Sequence, residues 1–307
     1  MRVRVIVGTA LCGACGFFAC TSTDGATTAT PTPDSGVAGS SDAEHEAGAT
    51  DAPSDTASEA EAAATGDIGG IFAISDAVVV DGGPRGSYRA GGFFVHRTGV
   101  DTTTTSKTVG PCLVEKIGSG TSADETDLSA GVVHITGGKK TVDVAPSANK
   151  SYSVVTGSES LWTGGEMITV TAGGEDVPAF TTSLVAPSTL TMTAPALPSS
   201  NGALDVTRSA TFAATWTGTS SGLVVLYFDA ATSSNAFAAT CTFAASAGKG
   251  DVPAAAFADF PAVAGTYNFY VKHSSTAAPA GWSIRFTASS AIVGGAGESA
   301  VGSASFK

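Results

Sequence analysis

The chain has 307 residues, of which 43% are hydrophobic, 14% charged and 7% aromatic, with a formal net charge of −12. That length suits one large domain or two of about 120 to 150 residues. The acidic balance excludes a basic nucleic-acid binder as the default, and the scarcity of Glu, Lys and Leu excludes a heptad coiled coil.

The N-terminus comes first. Arg2 and Arg4 form a short positive start, and Val5 to Ala19 carries no charge. This is the pattern of an export signal, and the apolar run is too short to span a bilayer comfortably. It ends in Phe17-Phe18-Ala19-Cys20. Here the chain resembles bacterial lipoproteins, whose signal ends in a small residue followed by the Cys that receives lipid. Ala19 and Cys20 match the last two positions, whereas Phe17 and Phe18 depart from the usual pattern. Cys15, after Gly13-Ala14, is a competing site with a shorter apolar run. The resemblance implies a signal over 1–19, lipid on Cys20 and attachment to the cell envelope through that anchor. Thr21, a residue other than Asp after the Cys, implies sorting to the outer membrane of a Gram-negative bacterium.

Residues 20–66 are expected to form a disordered acidic tether. From 21 to 66 there is no Phe, Tyr, Trp, Leu, Ile, Met, Lys or Arg, and there are nine acids. Such a stretch cannot bury enough apolar area to offset chain entropy. As a flexible coil it would span roughly 35 to 40 Å, and its charge would lengthen it. The body, 67–307, has 18 acids and 13 bases and is only mildly acidic. A metal site at His45 with Glu44 and Glu46 is a weaker reading of the same stretch.

The body reads as an all-β, antiparallel β-sandwich. Phe212, Ala214 and Trp216 alternate onto one face, as do Tyr267, Phe269 and Val271, and Trp282, Ile284 and Phe286. Leu223 to Phe228 is continuously apolar, which suggests a central strand buried on both faces. Gly-rich turns such as Gly137-Gly138, Gly164-Gly165 and Gly173-Gly174 separate the runs. Asp251 is expected to cap a short helix over 253–257 that Pro261 ends. The motifs Asp176-Val177-Pro178-Ala179 and Trp162-Thr163-Gly164 recur at 251 and 216, but their separations of 75 and 54 disagree, so no regular repeat exists. The Pro-bearing stretch 185–195 divides the body into two expected sandwich domains, 67–185 and an immunoglobulin-like 186–307. A single larger sandwich is the alternative. Val109 to Cys112, Gly174 to Phe180, Trp216 to Gly218 and Val252 to Phe257 also give the body the look of uncharacterised bacterial lipoproteins with all-β ectodomains. That resemblance implies an architecture and no activity.

The chemistry of the body is sparse. Cys112 and Cys241 lie 129 residues apart, and they either bridge the halves as a disulfide or remain two buried thiols. Neither has a Cys or His at zinc-ligand spacing. His96, His134 and His273 form no His-Glu-x-x-His pattern, and there is no Gly-x-Ser-x-Gly elbow. His134 is expected on a solvent face and His273 half-buried at a strand end. The acidic pairs Asp124-Glu125 and Glu175-Asp176 read as turn residues, with calcium at Asp124, Glu125 and Asp127 a weak alternative. Trp216 and Trp282 are expected in the core. Trp162, beside a Gly-rich turn, and Tyr88, between Arg85 and Arg89, are the candidate exposed rings for contacting a ligand, although a structural role is the stronger reading for each. The expected function is a lipid-anchored envelope protein without catalysis, cofactor or metal, with a structural or adhesive role toward an envelope protein or polysaccharide. The runner-up is a carbohydrate-binding module, which exposed aromatics would favour, and the third reading is a secreted hydrolase. No nucleic-acid partner is expected.

Overall fold

The computed structural model describes residues 67–76, 88–99, 101–199 and 202–307. The expectations for the signal, Cys20 and the tether fall outside these residues. The period-two alternation of the body becomes a fold of strands. In the first half these are β1 (Asp67–Asp76), β2 (Tyr88–Thr98), β3 (Thr104–Val109), β4 (Cys112–Ile117), β5 (Asp124–Asp127), β6 (Val133–Thr136), β7 (Val142–Val144), β8 (Tyr152–Gly157), β9 (Met167–Ala172) and β10 (Phe180–Val185). The second half supplies β11 (Leu190–Ala194), β12 (Ala203–Val206), β13 (Phe212–Thr217), β14 (Leu223–Ala231), β15 (Ala236–Ala244), β16 (Lys249–Val252), β17 (Ala264–Ala277), β18 (Ser283–Gly294) and β19 (Val301–Phe306). The described residues belong to one unit.

The architecture is an all-β sandwich, mostly antiparallel. One long sheet runs β16-β13-β11-β18-β17-β14-β15-β4-β3, and β1 and β2 branch from β18. A second sheet runs β10-β9-β6-β7. Three pairings are parallel: β1 with β18, β11 with β18 and β12 with β19. As the continuous apolar run implied, β14 is a central strand between β15 and β17, and Val224, Val225 and Leu226 are fully buried.

Two cores form. One gathers Phe72, Phe94, Tyr152, Phe180 and Phe286, whose neighbouring rings lie 5.2–6.5 Å apart. The other packs Phe212, Phe228, Phe257, Phe260, Phe269 and Phe306. Along the chain, core membership changes over between Ala186 and Leu190. Two hairpins cross that division. The β3–β4 hairpin comes from the first half, yet β4 pairs with β15, and Cys112 and Val114 lie in the second core. The β17–β18 hairpin comes from the second half, yet Trp282, Ile284, Phe286 and Ala288 lie in the first core. The reason is length. β17 has 14 residues; it pairs with β19 through Ala264–Asn268 and with β18 through Tyr270–Ala277. At about 3.4 Å per residue it reaches across both cores.

The helix expected from Asp251 takes another form. Asp251 lies within β16, and the segment Ala254–Phe257 is a 3₁₀ helix that follows Pro253 with no side-chain cap. Its contribution is packing: Ala256 and Phe257 are fully buried.

Candidate functional site

Cys112 and Cys241 are bonded as a disulfide. They are register partners on β4 and β15, and both are fully buried. The bridge therefore fastens the crossing β3–β4 hairpin to the sheet of the other half. It is the one sequence-expected pair of residues that the fold brings together.

The two rings that were candidates to meet a ligand do not face solvent. Trp162 is 2% exposed and Tyr88 7% exposed, which agrees with the stronger, structural reading and removes the ligand-contacting one. Trp162 lies in the first core, and its Nε1–H donates to Ser290 Oγ at 2.9 Å. Ser290 in turn donates to the Pro187 carbonyl at 2.7 Å. A turn normally lies at the surface, but here the indole beside it points inward. Trp216 and Trp282 are buried as expected, and the Trp216 Nε1–H donates to the Ala245 carbonyl at 2.8 Å. The buried indole N–H groups of Trp162 and Trp216 thus both have partners, as burial demands. The two Trp-Thr-Gly segments share one further feature: Gly164 and Gly218 take φ of +116° and +115°, a region open to glycine.

Those two turns border an open concavity, a groove of about 690 Å³. Ser188, Thr219, Ser220, Ser221 and Ser246 contribute to its lining, which contains no charged side chain. The turn over 163–165 is pinned by Glu166, whose carboxylate accepts the N–H groups of Thr163 and Gly164 at 2.7 and 2.6 Å. Burial alone would raise this carboxyl, but the surrounding backbone N–H donors and the Thr163 hydroxyl hold it below its ordinary value. The opposite wall is fixed where the Ser188 N–H donates to Ser220 Oγ at 3.1 Å. Ser221 Oγ and His273 Nε2 lie 3.0 Å apart beside it. This contact between β17 and the 218–222 turn could not be read from the sequence, where 52 residues separate the two. A Ser–His contact becomes an acyl-transfer site only when a third group orients the ring and donors await the oxyanion. No carboxylate among the described residues bonds the other ring nitrogen of His273. A second concavity, about 440 Å³, is lined by His134, Thr171 and Phe180 among others. His134 is exposed as expected, with Nδ1 2.8 Å from Asp143.

The acidic pairs have structural work. Asp124 to Asp127 is strand β5 rather than a loop, and Glu125 forms an ion pair with Arg97 at 2.8 Å. Among the described residues no group of three or more His, Cys, Asp or Glu side chains is gathered to hold a metal. Asp176 accepts the Ser129 N–H at 2.9 Å and pairs with Lys150 at 2.9 Å. Lys150, first, and the Ser129 N–H hold its carboxyl below the ordinary value. Nearby, the buried Tyr152 hydroxyl accepts the Ala130 N–H at 2.8 Å and donates to the Gly131 carbonyl at 2.7 Å. Burial pushes the Tyr152 phenol up from its ordinary value. Together these groups lock the 129–131 loop onto the first core.

Comparison of the chain with protein-family models finds no match, and no curated protein matches it.

Proposed function

We propose that this is a lipid-anchored cell-envelope protein, held in the outer membrane of a Gram-negative bacterium through Cys20, whose all-β ectodomain has a structural or adhesive role without catalysis. The observation that carries this reading is the buried Cys112–Cys241 disulfide. Structural disulfides persist in oxidising compartments outside the cytosol. The uncharged run Val5 to Ala19 followed by Cys20 supports the same destination and supplies the means of attachment. Its partner is an envelope protein or polysaccharide. The carbohydrate-binding alternative leaned on exposed Trp162 and Tyr88; with both rings buried, it loses its stacking faces.

Intact-mass analysis of the native protein from membranes, before and after reduction, tests this. The expected mass is that of a chain beginning at Cys20 with a diacylglyceryl and an acyl group, gaining two hydrogens on reduction. A chain that retains residues 1 to 19 would overturn the reading. So would a cleaved chain without lipid, which would make the protein freely secreted.

A further inference from the structure

Strand edges are where a sheet meets other chains, and folds usually blunt them with short strands, bulges, charges or covering segments. Most free edges here are blunted. β7 has three residues, and β12 and β16 have four. β5 is Asp-Glu-Thr-Asp, β8 meets β2 through a register shift, and β10 is tied by Thr182 Oγ1 to Ser275 of β17 at 2.7 Å. β3 is different. It has six residues, Thr-Thr-Ser-Lys-Thr-Val, no proline, and a regular register with β4. Among the described residues β4 is its sole strand partner. Residues 105–108 are exposed. Its one charge, Lys107, is engaged by Asp259.

The pleat fixes which backbone groups face outward. Gly110-Pro111 forms a two-residue turn, so Val109 and Cys112 close the hairpin as a hydrogen-bonded pair. The bond from Thr242 N–H to the Pro111 carbonyl, 3.1 Å, agrees: residues next to Cys112 bond toward β15. Alternation then turns Thr105, Lys107 and Val109 toward β4. Thr104, Ser106 and Thr108 direct their N–H and C=O groups away from the sheet.

That outward set, Thr-Ser-Thr, is symmetric about Ser106. We propose that β3 pairs antiparallel with β3 of a second copy of this chain, about a two-fold axis at Ser106. The register follows: Thr104 faces the second copy's Thr108, Ser106 faces Ser106, and Lys107 faces Thr105. Hydroxyl residues thus meet across the strand boundary, a favourable cross-strand pairing, and no lysine directly opposes another. A two-fold contact of one patch with itself closes at a dimer. A single six-residue edge is small beside the roughly 1,000 Å² or more buried in a stable interface, so the dimer is a weak one. This inference is independent of the lipid anchor.

Sedimentation velocity of the purified full chain over rising concentration reads the association, and a concentration-dependent monomer–dimer equilibrium is expected. Ser106→Pro removes an outward N–H and leaves the β3–β4 ladder intact. It is expected to keep the parent circular-dichroism spectrum and melting while remaining monomeric throughout. In the proposed register the two Ser106 Cα atoms lie about 5.5 Å apart, within disulfide reach. Ser106→Cys should therefore give a covalent dimer under mild oxidation well beyond any that the parent forms through Cys12, Cys15 or Cys20, and Thr104→Cys should add little to the parent level. A parent chain that stays monomeric at the highest concentration reached would overturn the proposal. So would a Ser106→Pro variant that dimerises like the parent, or a Thr104→Cys variant that cross-links as efficiently as Ser106→Cys.

Discussion

Replacing both Cys112 and Cys241 with alanine removes the covalent cross-connection of the described residues without leaving a lone buried thiol. The bridge closes a loop with a sequence separation of 129. Loop entropy for a closure of that length amounts to about 5 kcal/mol at 25 °C. Losing two buried sulfur atoms adds about 1 kcal/mol. Residual structure in the unfolded chain works the other way, because β4 and β15 share a six-pair register that favours local contact. The expected loss is therefore about 3 to 5 kcal/mol. For a body of this size, about 2–4 °C per kcal/mol gives a drop in Tm of roughly 6 to 20 °C. Calorimetry and guanidinium titration of the parent and double variant measure it, with the reduced parent as a second comparison. The interlocked topology also requires the two cores to melt together, so the oxidised protein should show one transition. A loss below about 1 kcal/mol, or two well-separated transitions in the oxidised protein, would refute the reasoning.

Tyr152→Phe should cost about 1–3 kcal/mol, because it strips the Ala130 N–H and Gly131 carbonyl of their buried partner; chemical denaturation checks this. Since burial raises the Tyr152 phenol, its stabilising contribution is present below the ordinary tyrosine value and is lost as pH climbs through the folded value, so the parent's alkaline destabilisation should be blunted in the variant. Asp176 has the opposite sign. Its carboxyl is depressed by Lys150 and Ser129, so its contribution is full above the ordinary carboxylate range and disappears as pH falls through the folded value. Asp176→Asn should lower Tm at neutral pH and have little effect in strong acid, and equal losses at both would sink that assignment.

Strands β13, β17 and β18 were legible because their alternation is strong. Phe212-Ala214-Trp216 and Tyr267-Phe269-Val271 point inward as their period requires, and Ser283–Gly294 alternates in burial along nearly its whole length. The β3–β4 exchange was not legible, because Thr104 to Thr108 is polar and mostly exposed and only Val109 of β3 packs against a core. The burial of Trp162 was hidden for a related reason. Alternation assigns a side chain to a face only inside a strand, and the Trp162 backbone is not in one. Its burial depends on Ser290, 128 residues away. The disulfide was legible as one of two options, but choosing between them needed the β4–β15 register, a long-range fact. The groove beside Ser221 and His273 is likewise assembled from separate turns and β17, none of which has a distinctive motif.

The reciprocal hairpins explain why division at the 185–195 stretch describes the cores better than it describes the sheets. A chain ending at 185 would keep β1 and β2 but lose Trp282, Ile284, Phe286 and Ala288, which complete the first core and belong to the segment that pairs with β1. Phe72 and Phe180 would each lose their ring contact with Phe286. A chain beginning at 186 would keep β15 but lose β4, Val114 and the partner of Cys241. Each half therefore lacks a strand pair that its own hydrophobic face needs, and each supplies the pair the other lacks. Coupling of that kind does not depend on a large polar interface between finished domains. It arises because β17 is long enough to belong to both cores and because Cys112 is bonded across the division.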